Sequence, residues 1–196
     1  METHLDISVL GDYTSNSISD AEKTAAVLVP IIDRDDQHYL LFTKRADHLG
    51  EHPGQISFPG GGYESGDTSL SETALREARE EINLLPEDVT LYGEIDDIRT
   101  VSGYSVTPFV GTISDREYSP NDYEVAEIII LPLRELTNID NYRYETRDHS
   151  HYGQSIVHFF NVHDRTVWGA TARILVQLLE LTTSWEAPVD FDTKNR

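Results

Sequence analysis

Residues 58–84 read FPGGGYESGDTSLSETALREAREEINL, a glycine-rich turn running into a carboxylate-loaded helix. Ser69 followed three residues on by Glu72 makes a capping-box pattern, and Leu70, Ala74, Leu75, Ala78 and Ile82 recur at helical spacing. Asn83 stands where helices often end in a left-handed residue. On such a helix Glu77 and Glu81 share one face, with Glu80 one position round and Arg76 able to reach Glu80 a turn on. Segments like REAREE are common on solvated helices, where their charges form weak surface pairs. Three carboxylates within one turn nevertheless repel each other unless cations neutralise them, and Mg²⁺ and Mn²⁺ prefer such oxygen ligands. The preceding Phe58-Pro59-Gly60-Gly61-Gly62 tips the balance, since Cβ-free backbone lets chain and ligand approach closely. Together they suit a site for metal-complexed phosphates.

Outward from this stretch, the apolar runs 25–32 and 39–43 flank an Asp-rich turn and predict a β-hairpin with a longer loop. Beyond the helix, 89–95, 105–113, 125–131 and 156–162 predict strands, and 171–181 predicts a closing helix with Ile174, Leu175, Leu178 and Leu179 on its apolar stripe. Helices and strands without strict alternation predict an α/β (α+β) fold, a mixed β-sheet flanked by helices. Residues 1–20 are expected as an N-terminal arm or short helix, 21–185 as the catalytic domain and 186–196 as a polar tail.

The 196 residues carry 35 acids against 15 basic residues, a formal charge of −20, and only Lys23, Lys44 and Lys194 are lysines. The acids are spread along the whole chain, which favours a solvated surface adapted to high salt over attraction to a cationic partner. Equal stability and activity with and without molar salt would refute that adaptation. A broad basic face for nucleic acid is unexpected at this charge. With no cysteine, thiolate nucleophiles and Cys-based metal sites are excluded. No apolar run reaches the length of a membrane span and the opening METHLDISVL lacks a basic-then-apolar pattern, so a cytoplasmic protein without membrane contact is expected, as monomer or homodimer.

The spacing from Gly61 over five residues to Asp67, then eight to Arg76-Glu77-Ala78-Arg79-Glu80-Glu81, resembles the Nudix box. It departs in one added residue before the arginine, Asp67 for the first glutamate and Asn83 for a glycine. The first two departures resemble the coenzyme A diphosphatase branch. Leu41-Phe42-Thr43-Lys44-Arg45 with His52-Pro53-Gly54-Gln55-Ile56-Ser57-Phe58, Ser102 to Gly111, Glu124-Val125-Ala126-Glu127, and Val167 to Leu175 are similar to further segments of that branch.

The resemblance implies an α/β/α sandwich and a pyrophosphohydrolase that needs Mg²⁺ or Mn²⁺ and splits the diphosphate of coenzyme A into 4′-phosphopantetheine and adenosine 3′,5′-bisphosphate. Glu77 and Glu81 are the expected principal metal ligands, Glu80 a further ligand or the base orienting water, and Arg76 the residue holding the carboxylates. Gly60, Gly61, Phe58 and Arg45 are the expected substrate-binding residues, the two glycines by shaping the loop and offering backbone groups to metal or phosphate and Arg45 by gripping a phosphate. A divalent-cation requirement and better substrate affinity at high ionic strength are also expected. The alternatives are a Nudix hydrolase of ADP-ribose or a related nucleoside diphosphate derivative, and a Nudix-fold binding module without catalysis. His149/His151 reads as polar loop rather than metal site, His48 and His52 as loop residues, and Trp168 as a core anchor.

Overall fold

The computed structural model describes residues 4–50, 53–149 and 153–189, with backbone only at 148, 149, 153 and 154. Its strands are β1 (Lys23–Arg34), β2 (Gln37–Arg45), β3 (Ile56–Ser57), β4 (Gly60–Gly62), β5 (Val89–Glu94), β6 (Ile98–Arg99), β7 (Tyr104–Ile113), β8 (Val125–Pro132), β9 (Tyr142–His149), β10 (Gly153–Val162) and β11 (Arg165–Trp168). The helices are α1 (Leu70–Ile82), the single turn α2 (Leu133–Leu136) and α3 (Gly169–Thr182).

A mixed sheet runs β3-β2-β1-β7-β5, with β4 beside β1, β6 beside β7 and β8 beside β2, and a second antiparallel sheet runs β11-β10-β9. β1 and β7 are parallel, in register from Lys23 with Tyr104 to Ile32 with Ile113. Alternation along β1 gives the large sheet two apolar faces. Ala26, Leu28 and Ile32 pack with Ala74, Ala78 and Ile82 of α1, while Val29 and Ile31 join Ile174, Leu175, Leu178 and Leu179 of α3 in the main core. The expected mixed sheet between helices is therefore what forms. No helix among the described residues is long and apolar enough to cross a membrane.

The predicted hairpin is tighter and shorter than its sequence suggests. Asp35 and Asp36 both take positive φ (49° and 59°), forming a two-residue turn whose twist matches the strands, where Asp is tolerated. β2 pairs with β1 only from Ile31–Leu40 to Arg34–Gln37 and then with β3 at Thr43 and Lys44, while β8 follows its other edge from Tyr39 to Arg45. β4 takes up the edge of β1 at Ala25, Ala26 and Val27. Between the two partners the Leu28 N–H donates to the Pro59 carbonyl at 2.8 Å. Pro30, which has no N–H to leave unpaired, stands at the same switch. This split between β2 and β4 opens the large sheet beside α1.

The N-terminal segment forms a short 3-10 helix, Ile7–Gly11, and buries Leu5 and Leu10 in the main core. The Asp6 N–H donates to the Thr182 carbonyl at 2.7 Å, and Tyr13 Oη donates to Asp96 at 2.7 Å. Ala187 and Val189 pack against the same core, and residues 190–196 of the expected tail lie outside the described residues.

Candidate active site

α1 starts and stops as its sequence requires. Ser69 Oγ accepts from the Glu72 N–H at 3.2 Å, and Asn83 closes the helix at φ 54°. The reciprocal half of the capping box is displaced by one residue, for the Glu72 carboxylate accepts from the Thr68 N–H rather than that of Ser69. With Ala74, Ala78 and Ile82 turned to the sheet, the adjacent row Thr73, Glu77 and Glu81 lines the split between β2 and β4.

Glu81 is 8 % exposed. Its carboxylate accepts from the Gly60 N–H and lies 3.5 Å from Thr43 Oγ1. Burial, followed by the like charges of Glu77 and Glu124, pushes its pKa up to about 8, while Arg45 pulls the other way. Glu77 is raised for the same first reason, with Arg76 opposing and Glu80 and Glu124 adding to the rise. A Cβ placed on Gly61 would lie 2.5 Å from the Glu77 carboxyl carbon, so that glycine is what lets the loop press against the carboxylate.

Arg76 ties the arrangement together. Its Nε donates to Asp67 at 2.9 Å, Nη2 to the Gly62 carbonyl at 3.0 Å and Nη1 to Glu77 at 2.8 Å, with Glu80 at 3.5 Å. Asp67 is buried, accepts also from the Glu64 N–H and Thr73 Oγ1, and is held well below the usual carboxylate range chiefly by the Arg76 guanidinium. The aspartate in the box is thus a structural anchor for the arginine. Asp67→Asn should lower kcat by about 10–100-fold, as loss of a residue that orients metal ligands usually does. Steady-state kinetics over a Mg²⁺ titration would check this, with a higher Mg²⁺ requirement expected alongside.

The structure brings Glu77, Glu81, Arg76, Gly60, Gly61 and Arg45 together and turns Glu80 outward, its side chain 54 % exposed. Phe58 is a correction: it is fully buried, its ring stacked on Phe42 at 4.6 Å, so it fixes the loop from beneath and cannot touch substrate. Trp168 is no core anchor either. Val167 takes the inward position on β11, leaving Trp168 37 % exposed and stacked on Phe159. His48 lies exposed against Tyr123, whereas His52, His151 and the His149 side chain fall outside the described residues.

Glu124 was not singled out from the sequence as a site residue. The Ala46 N–H donates to the Glu124 carbonyl and the Asn121 N–H to the Glu81 carbonyl, folding the loop before β8 onto the end of α1. Its charge acts on both Glu77 and Glu81. The four-residue segment Glu124 to Glu127 carried the signal, but nothing local in it marks which glutamate faces α1.

Among the described residues no three Asp, Glu or His side chains form a ready cage for an ion. The donor set still fits a hard divalent cation. Two desolvated carboxylates face a glycine backbone, a third acid lies nearby, and Mg²⁺ commonly takes one or two carboxylates and completes its shell with water and substrate phosphates.

Comparison with known proteins agrees with this geometry. The NUDIX domain family matches residues 22–152. The chain is 41% identical over 162 residues to the uncharacterized Nudix hydrolase NudL of Enterobacter sp. (strain 638), covering 80% of this chain and 81% of that one. It is 39% identical over 168 residues to NudL of Yersinia pestis (strain Pestoides F), covering 85% and 83%. A MutT/nudix family protein from Enterococcus faecalis shares the fold at a TM-score of 0.55 and 13% identity, over 86% of this chain and 62% of that one. A glutamate helix fed by a glycine loop, in a chain matched along most of its length by these relatives, makes this protein a member of the Nudix family and a pyrophosphohydrolase.

Proposed function

We propose that the enzyme hydrolyses the diphosphate bond of coenzyme A or a derivative, giving 4′-phosphopantetheine and adenosine 3′,5′-bisphosphate. One observation carries the reading: of the segments that resemble the coenzyme A diphosphatases, far apart in sequence, two meet at the carboxylates and the others border the glycine loop or the segment leading into it. β2 brings Thr43 and Arg45 to Glu81, and the start of β8 brings Glu124. Tyr104, which opens β7, borders the same recess as Gly62. Gly169 at the start of α3 approaches Gln55 in the loop before β3.

Nudix hydrolases generally need divalent cations. Glu77 and Glu81 would hold Mg²⁺ or Mn²⁺, with Glu124 as a further carboxylate. When bound, the ion supplies a bound water of lowered pKa and a clamp on the diphosphate oxygens. Arg76 keeps Glu77 in place through Asp67, and Arg45 offers a guanidinium to a substrate phosphate. Glu80, on the solvent side, orients the attacking water. The buried Phe42–Phe58 pair fixes the loop, so the geometry is set before substrate arrives.

The test is a panel of coenzyme A, its acyl and disulfide forms, ADP-ribose and dinucleotides, incubated with Mg²⁺ or Mn²⁺ and read by product mass. The expected result is a 4′-phosphopantetheine product at the highest kcat/KM in the panel. A clear preference for ADP-ribose would replace coenzyme A with that alternative.

A further inference from the structure

We infer that a recess beside the glycine loop, built from Lys23, Tyr63 and Tyr104, receives the nucleoside of the substrate together with a terminal phosphomonoester. Its ligand identity rests on the coenzyme A reading, since the nucleoside of coenzyme A carries such a group.

The recess has a volume of about 380 Å³ and is lined by Glu22, Lys23, Thr24, Gly62, Tyr63 and Tyr104. That lies within the usual range of small-molecule sites, about 300–1,000 Å³. It begins one residue from Gly61, against which the Glu77 carboxylate packs, so a ligand seated there has its diphosphate within reach of the carboxylates.

Its walls are held in place. Tyr63 Oη donates to the Asp67 carbonyl at 2.8 Å, and the Tyr63 N–H donates to the Thr24 carbonyl at 3.0 Å. Tyr104 is fixed opposite Lys23 by the parallel register of β1 and β7, and Lys23 Nζ stands 5.1 Å from its ring centroid. The held Tyr63 ring and the Tyr104 ring on its fixed strand offer faces to a purine at little ordering cost.

The cation is the more specific sign. In a chain of formal charge −20, Lys23 makes no ion pair among the described residues, although Glu22 is its neighbour. Most arginines of the described residues are paired with acids, for example Arg34 with Asp115, Arg116 with Asp88 and Arg165 with Glu127. An ammonium left unpaired over an aromatic wall suits a phosphate dianion, which a point charge can meet without a fixed fork geometry. Glu22 on the rim would weaken an anion without such a cation and so sharpens the dependence on Lys23.

The experiment uses Lys23→Gln in the full chain with Mg²⁺. Calorimetric binding of adenosine 3′,5′-bisphosphate is compared with that of AMP, and kcat and KM are measured for coenzyme A and its 3′-dephospho form. The wild type should bind the bisphosphate more tightly than AMP, and Lys23→Gln should remove that preference, weakening the bisphosphate by about tenfold, as loss of one charge-assisted contact does. KM for coenzyme A should rise by a similar factor with kcat and melting temperature unchanged, and KM for the dephospho form should not move. Equal binding of the two nucleotides by the wild type, or a preference that survives the substitution, overturns the subsite. If the wild type ignores coenzyme A yet keeps a Lys23-dependent bisphosphate preference, the subsite stands and the substrate reading falls. If coenzyme A is cleaved without any such preference, the reverse holds.

Discussion

Glu81→Gln should lower kcat by on the order of a thousandfold and, in metal-free protein above pH 7, raise the melting temperature. The loss follows from the metal role proposed for it, since a carboxylate that holds a catalytic cation commonly supplies several kcal/mol of transition-state stabilisation. The gain follows from the same burial. Folding lifts this carboxyl from its ordinary value near about 4.3 to about 8, so the folded state holds its proton more tightly than the unfolded chain. Below the unfolded pKa both states are protonated and the group makes no difference. As pH climbs from there through about 8 the unfolded chain ionises freely, the folded one is penalised, and stability falls across that window. Glutamine keeps the shape without the charge. Because the penalty is shared with Glu77, the expected gain is about 2 kcal/mol, or about 4–8 °C for a chain of this size. Added Mg²⁺ should raise the melting temperature of the wild type at pH 8 far more than at pH 5, and do little for the variant. Melting curves with and without EDTA across pH 5–9, beside initial rates, test both halves. Full activity in the variant would sink the metal-ligand assignment, and a flat stability profile in the metal-free wild type would sink the electrostatic one.

The adjacent glycines should separate fold from function. A Cβ on Gly60 would lie 2.4 Å from the Ala26 carbonyl oxygen and 2.6 Å from Val27 Cα, both backbone atoms of β1 that cannot step aside. Gly60→Ala should therefore destabilise the fold by about 3 kcal/mol or more, a core-overpacking cost, and lower the melting temperature by about 6–12 °C. A Cβ on Gly61 meets only the end of the flexible Glu77 side chain. Gly61→Ala should melt close to the wild type yet lose about a hundredfold in kcat, as a catalytic group displaced by about 1 Å does. Wild-type rates in Gly61→Ala would mean that Glu77 does not need its present place against the loop.

The parts legible in the sequence are those whose cause is local. Ser69, the apolar spacing of α1 and Asn83 set the glutamate helix, and the short apolar runs over 105–113 and 125–131 set two strands of the large sheet. Other features arise only in the assembled sheet. β4 is three glycines, poor strand formers, and becomes a strand because β2 leaves the edge of β1 free. β9 reads YRYETRDH and has no apolar run to announce it, being held by its ladder to β10 and anchored by buried Tyr142. Phe58 looked like a substrate residue because it sits next to the glycines, but its neighbour in space is Phe42. Glu124 was hidden for the same reason, since a loop closed by backbone hydrogen bonds to Ala46 and Glu81 leaves no periodic trace.

The parallel pairing of β1 with β7 also has a consequence expected for the order of folding. β1, β2, β4 and α1 are neighbours along the chain, so the glycine loop can meet Glu77 and Glu81 through short closures. β7 must return across the whole intervening segment before its first contact with Lys23 forms, and such long closures are entropically slow. The loop carrying Glu124 follows β7 in the chain and docks after it. The β1–β7 ladder is therefore expected to close after the contacts between the glycine loop and α1, an order that pulsed hydrogen exchange during refolding would test.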